Sequence, residues 1–287
     1  MQAGVLAVLT AGTAVHAQPA SVQLQPSIQD SGNAFVRFFR DGEWYFSWGY
    51  NKEYWAPTDI HVSQASLGNN FTIHGVQGAD EFSFPEIFSP SLFGPQYNIR
   101  IGRFINDERT IGVEFSLDHT KYTTILGQTA AVTGLVAARR PMQTTSSIVI
   151  PFPKSRDGQR GLSLSLDWPD QRNIQRRCHR QGGLGIMLPH TSDTILGYDN
   201  NVGSKTLSNA IGLTNGWWQV NGWTTGVEFG FRFMLYKSVY LELTDKVAYA
   251  YLGDLPAYQG TLQQSLLMNE IILSLGFTYD GASGASK

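Results

Sequence analysis

Residues 225–236 read TGVEFGFRFMLY, and the meaning of this stretch decides the fold. Its odd positions, Thr225, Val227, Phe229, Phe231, Phe233 and Leu235, make a near-continuous apolar row. Its even positions, Gly226, Glu228, Gly230, Arg232, Met234 and Tyr236, carry a carboxylate, a guanidinium and two glycines. Period-2 alternation puts these sets on opposite faces of a β-strand. A soluble sheet would turn the charged face to water and the aromatic face to a core. A membrane barrel would turn the aromatic face to lipid and the charged face to its lumen.

The same alternation recurs on both sides of this stretch. Upstream, Glu43 to Asn51, Tyr97 to Ile105 and Ile111 to Tyr122 repeat it, and Leu162 to Trp168 sets Leu162, Leu164, Leu166 and Trp168 against Ser163, Ser165 and Asp167. Weaker strands are expected near Ile60, at Phe71 to Val76, at Gln128 to Ala138, at Thr144 to Phe152 and at Gly183 to Leu188. Downstream, Val239, Leu241 and Leu243 oppose Tyr240, Glu242, Thr244 and Lys246, with Asp245 breaking the apolar face. The last strand sets Leu267, Ile271, Leu273, Leu275, Phe277 and Tyr279 outward and Glu270, Ser274, Gly276 and Thr278 inward. Loops are expected at 78–95, 190–223 and 250–263, and the arginine-rich segment 169–180 reads as a solvated loop.

Composition favours the membrane reading. Charged residues are only 15% of the 287, aromatics reach 12% and there are 30 glycines, which suits an outer surface that does not meet water. No apolar run is long enough for a transmembrane helix, so crossing a bilayer requires a closed barrel. A net charge of -2 gives no reason to expect nucleic acid. The single cysteine, Cys178, excludes an intrachain disulfide, and His61, His74 and His119 lack ligand spacing, so no metal and no cofactor are expected. The fold expected is all-β, a transmembrane antiparallel up-and-down β-barrel of about twelve strands (roughly ten to fourteen), with short turns at one end and long loops at the other.

Around that barrel the chain divides simply. Residues 1–17 read as a signal peptide, apolar from Ala3 to Val15 with Val15-His16-Ala17 as the cleavage pattern, although Met1-Gln2 supplies no cationic start and suggests truncation. Residues 18–42 form a periplasmic lead-in, 43–279 the barrel and 280–287 a C-terminal tail.

The closing run Leu273-Ser274-Leu275-Gly276-Phe277-Thr278-Tyr279 resembles the last strand of Gram-negative outer-membrane β-barrel proteins, which alternates and ends in aromatics. That family usually stops at the aromatic, whereas Asp280 to Lys287 follow here. The resemblance implies the bacterial outer membrane, a surrounding of lipid and lipopolysaccharide, delivery by the barrel-assembly machinery, and a protein partner or homo-oligomer as a further option.

The expected lumen-facing set is Arg100, Glu114, Asp118, Glu228, Arg232, Glu242, Lys246 and Glu270. These groups either pair across strands and plug the lumen or line a hydrated pore that favours cations. The expected membrane-interface aromatics are Trp44, Trp48, Tyr50, Trp217, Trp218, Trp223, Phe277 and Tyr279. The function expected is a narrow channel or a structural envelope component. A lipid hydrolase is the second reading, because Ser208-Asn209-Ala210 faintly resembles the serine region of outer-membrane lipid A deacylases and His190 could serve Ser192 or Ser208 as a base. Lys205 and Thr206 stand where that family has a histidine, so no catalytic residue is assigned. A secreted carbohydrate-binding β-sandwich, stacking sugar on its tryptophans, is the third. Within the barrel reading, a small polar side chain at Gly230 is expected to be tolerated better than an arginine at Phe231.

Overall fold

The structure, a computed structural model, describes residues 42–80, 96–104, 111–137, 146–149, 156–168, 176–200, 211–212 and 218–280. The signal peptide, most of the lead-in, residues 281–287 of the tail, Ser208 and Trp217 lie outside the described residues.

Twelve strands form one antiparallel sheet. They are β1 Glu43–Trp55, β2 Thr58–Gln64, β3 Asn69–Val76, β4 Tyr97–Phe104, β5 Ile111–His119 and β6 Thr129–Leu135. They continue with β7 Ser146–Val149, β8 Arg156–Trp168, β9 Arg176–His190, β10 Trp223–Tyr236, β11 Val239–Ala257 and β12 Gly260–Asp280. The opening stretch is thus most of β10. No helix among the described residues is long and apolar enough to cross a membrane.

Eight of the twelve strands close on themselves. β1 pairs with β4 on one side and with β12 on the other, and β4, β5, β8, β9, β10, β11 and β12 pair in sequence between them. Cross-strand partners trace one circuit through Arg177, Arg232, Glu242, Ser274, Gly49, Asn98, Asp118, Gln159 and Met187, returning to β9 ten residues from its start. With about 3.3 Å of rise per residue and about 4.8 Å between strands, that offset tilts the strands by about 40°. A ring of eight strands at this tilt has an interior just wide enough to be filled by side chains.

The other four strands form an extension above the ring. β12 is long enough to serve two neighbours: it pairs with β1 up to the Trp55–Met268 step and with β2 from the Ile60–Gln264 step. Pro57, which cannot donate to a ladder, marks the break between β1 and β2, and Ala56 N–H still reaches the Leu267 carbonyl at 2.9 Å. β3, β6 and β7 then add to β2 in order.

Polarity inverts along the strands, and the inversion locates the lipid boundary. In the lower part of β12, Leu267, Leu273, Leu275, Phe277 and Tyr279 are exposed while Glu270, Ser274 and Gly276 are buried. In its upper part, Leu262 and Leu266 are buried and Thr261, Gln263 and Ser265 look outward. β11 does the same, with Glu242, Thr244 and Lys246 inward below and Ala248, Ala250, Leu252 and Leu255 inward above. The upper interior is one apolar cluster that includes Ile60, Val62, Phe71, Ile73, Tyr122, Met187, Leu252 and Leu266. Below the boundary the ring is apolar outside and charged inside; above it the sheet is built like a soluble protein.

Two expected loops are strands. The segment 250–263 continues β11 and β12 to a hairpin at Tyr258 and Gln259, with a bulge between Leu252 and Leu255 that Asp254 accommodates at φ 48°. An irregularity of this kind lets the ladder absorb Gly253 and Pro256 that otherwise read as loop residues. Residues 176–180 of the arginine-rich segment belong to β9, all paired with β10 and, from Cys178 on, with β8 as well. The tight turn at Tyr236-Lys237-Ser238 is present as expected, with Lys237 at φ 44°.

Candidate functional site: the charged interior of the ring

Among the described residues, period-2 alternation on eight tilted strands brings six acids into the ring, Glu53, Glu114, Asp118, Glu228, Glu242 and Glu270, with Arg100, Arg232, Lys246 and His179, all buried. Each of the three cations Arg100, Arg232 and Lys246 occupies its own level.

At the lowest level Arg232 Nε donates to Glu242 Oε2 at 2.6 Å, across a directly paired position of β10 and β11. Its guanidinium lies 4.0 Å from the Tyr240 ring centroid and 4.8 Å from that of Tyr45. Phe104 and Met234 pack against the two tyrosines. Cation–π contact in a water-poor interior adds to the ion pair and holds the aromatic floor in place. The tyrosines need room, and glycine supplies it: a Cβ on Gly102 would come within 2.1 Å of Tyr45, and one on Gly276 within 2.3 Å of Tyr240.

At the middle level Arg100 Nη1 bonds Glu228 and reaches Glu114 Oε1 at 3.2 Å, while its Nε donates to Asn98 Oδ1 at 2.8 Å. Gln181 Nε2 caps Glu114 at 3.3 Å. At the upper level Lys246 Nζ bonds Asp118, lies 3.0 Å from Glu270 and 3.9 Å from Glu228. Asn51 Nδ2 bridges Glu270 and Glu53 at 2.6 and 2.5 Å. Glu228 therefore links the middle cation to the upper one, and these two levels form one network.

All eight expected lumen residues are buried, and every one has a charged partner within this network. Tyr45, Tyr240, His179, Asn51 and Glu53 were not singled out from the sequence. The two tyrosines carried a signal, since each is an aromatic on the polar face of an alternating strand; the glycine opposite each emerges only from the pairing. His179, near Glu242 at 3.9 Å, carried none, because polar groups occupy both faces of β9 there.

On the outside, Trp44 pairs with Tyr279 and Phe46 with Phe277 at the lower edge of the apolar band. Trp223 stacks near Tyr249 and Tyr251 at its upper edge, with centroids 5.6 and 6.5 Å apart. Trp48 and Tyr50 stand in register with Leu275 and Leu273, inside the band and not at its edge, because alternation fixes a face but not a height. Trp218 is half-buried against His190, ring centroids 6.0 Å apart. The remaining histidines are separate: His61 contacts Thr72, His74 contacts Asp59 and Thr133, and His119 stacks on Tyr97. No group of His, Cys, Asp and Glu among the described residues is placed to hold a metal ion.

Above the membrane, Asp193 is buried with neither carboxylate oxygen hydrogen-bonded, and burial, reinforced by Asp199, pushes its carboxyl up to about 7. The protonated form is favoured in the fold, so its contribution is complete below the ordinary carboxylate range and is lost as pH rises towards about 7. Hydrogen exchange across 191–200, corrected for intrinsic rates, is expected to show about a hundredfold less protection at pH 8 than at pH 5. Asp193→Asn should show equal protection at both; a persisting difference would assign the effect elsewhere.

No family model matches the chain, and no curated protein matches it. Among solved structures it is similar to the outer membrane protein OprG of Pseudomonas aeruginosa, with TM-score 0.38, 10% identity, 84% of this chain and 97% of that one covered. It is also similar to Ail, the attachment invasion locus protein of Yersinia pestis, with TM-score 0.31, 10% identity, and 83% and 99% coverage. A third is Neisserial surface protein A, with TM-score 0.34, 13% identity, and 81% and 97% coverage. A ring that is apolar outside and charged inside is the construction of a transmembrane β-barrel.

Proposed function

We propose that this protein is a closed, non-conducting barrel, a structural component of the envelope that carries a β-rich platform on the outer side of the outer membrane. The observation behind this reading is the filled interior: Arg100 and Lys246 bind carboxylates across the ring, and Arg232 pairs with Glu242 of the neighbouring strand over Tyr45 and Tyr240. The apolar cluster above them supports the same reading, since an ion would have to cross it after leaving the charged levels. A narrow channel needs a continuous hydrated path, which a filled eight-stranded ring does not offer. In planar bilayers the purified barrel is expected to give no stepwise ion current. Steady single-channel conductance would overturn the proposal.

The orientation that follows puts the Tyr236-Lys237-Ser238 turn in the periplasm and the Tyr258-Gln259 hairpin outside. An epitope inserted at Gln259 is expected to bind antibody on intact cells, and the same epitope at Lys237 only after lysis. The reverse pattern would invert the assignment. We further propose that β12, alternating to its aromatic end at Phe277 and Tyr279, is the strand the assembly machinery engages.

A further inference from the structure

Two charged outer positions, Asp245 and Arg180, depart from the lipid-facing pattern. The outward residues of β11 run Leu241, Leu243, Asp245, Val247 and Tyr249, so a carboxylate stands at the centre of the apolar band. Among the described residues its one side-chain hydrogen-bond partner is the Asn269 amide of β12. Two strands away, Arg180 of β9 is also outward and exposed, and no ion pair among the described residues engages it. The two belong to one hydrogen-bonding row, Arg180 to Phe229 to Asp245.

An ionised side chain facing acyl chains is costly, and in membrane segments such groups turn to a partner. This row carries its own complement. A two-fold axis along the membrane normal, passing in front of Phe229, sets β9 of one copy against β11 of the other and β10 against β10. Arg180 then meets Asp245 of the second copy, and the pairing occurs twice, as a self-complementary interface requires. The row climbs by about 6 Å over two strands at the tilt of this ring, a height difference an arginine side chain can span. Phe229, between the charges, packs edge to face on Phe231 of the next row at 4.8 Å and both stay exposed, while the exposed Gly182 beside Val227 leaves space for close approach.

We infer that the outer face of β9, β10 and β11 is a homodimer interface, closed by two Arg180–Asp245 ion pairs around the Phe229 and Phe231 rings. A foreign partner would have to supply the inverse charge pair at the same spacing, whereas a second copy does so by symmetry. The inference goes beyond the closed-barrel reading and stands whether or not the interior conducts.

The test uses the chain refolded in phosphatidylcholine vesicles, with heat-modified gel mobility confirming that each variant is folded, and dimer fraction read by single-molecule photobleaching. Arg180→Asp and Asp245→Arg are each expected to lower the dimer fraction about tenfold or more, since both place like charges opposite one another. Mixed in equal amounts, the two variants should recover dimers, because one copy then presents two acids and the other two arginines. A wild-type monomer, dimers undisturbed by either reversal, or folded variants that fail to associate when mixed would each overturn the inference. Should a reversal variant not fold, cross-linking decides: Phe229→Cys in a Cys178→Ser background should link two copies. Ile101→Cys, on the opposite wall, should not. Equal linking at the two sites, or none at Phe229, refutes the interface.

Discussion

Replacing Lys246 by methionine is expected to destabilise the barrel by about 3–5 kcal/mol, the usual cost of removing one partner from a buried ionic cluster. The lysine bonds Asp118 and lies 3.0 Å from Glu270, and its loss leaves two carboxylates facing each other with only the amides of Asn98 and Asn51 for company. Methionine keeps most of the volume, so lost packing contributes little. The charge origin is separable: Lys246→Met combined with Glu270→Gln should recover part of the loss, which neither a cavity nor a folding defect would do. Urea titration of the barrel in vesicles measures both. A single variant within 1 kcal/mol of wild type, or a double variant no better than the single, would mean that the upper level is hydrated and the interior is not the filled plug described above.

The sequence revealed this network because a barrel interior is written in every second residue. Glu228, Arg232, Glu242, Lys246 and Glu270 could be assigned to one face from alternation alone, and the strands they occupy were legible for the same reason. Pairing was not. Alternation says that a strand exists and which residues share a face, but the neighbour is chosen by contacts distant in the chain. β1 meets β12 across more than two hundred residues, as in the Phe46–Phe277 pair. Hence twelve strands could be counted while the ring of eight could not be seen.

The upper sheet was obscured by the inversion of polarity. At Leu266 and Leu267 both faces of β12 are apolar, and beyond them the inward side chains are the apolar ones, so the signal that identifies a membrane strand reverses sign. Gly253, Asp254, Pro256 and Gly260 then resemble loop chemistry, although one bulge and a hairpin accommodate them. His179 and Gln181 were hidden differently. Arg180 on the outer face of β9 removes the contrast on which period-2 reading depends, and the dimer interface inferred above gives that arginine a reason to be there.

Phe231→Arg probes the outer surface as Lys246→Met probes the inner, and its cost is expected to be about 2–4 kcal/mol. Phe231 is exposed, stands in register with Cys178 on β9 and Leu243 on β11, and lies well inside the apolar band. Gln263→Arg supplies the control: it lies on the outer face of β12 above the lipid boundary, where arginine meets water, and should cost no more than about 1 kcal/mol. The companion expectation from sequence, that a small polar side chain at Gly230 is milder than arginine at 231, gains a cost of its own from the structure. A Cβ there would fall 2.1 Å from the His179 imidazole, so Gly230→Ser must displace a ring packed in the interior. It is expected to be destabilising as well, by about 1–3 kcal/mol as overpacking usually is. His179→Ala should relieve it, whereas it should leave Phe231→Arg unchanged. Urea midpoints for these variants in vesicles separate the two faces. If arginine at 231 and arginine at 263 cost the same, water and not hydrocarbon bathes the phenylalanine row, and the membrane assignment fails with it.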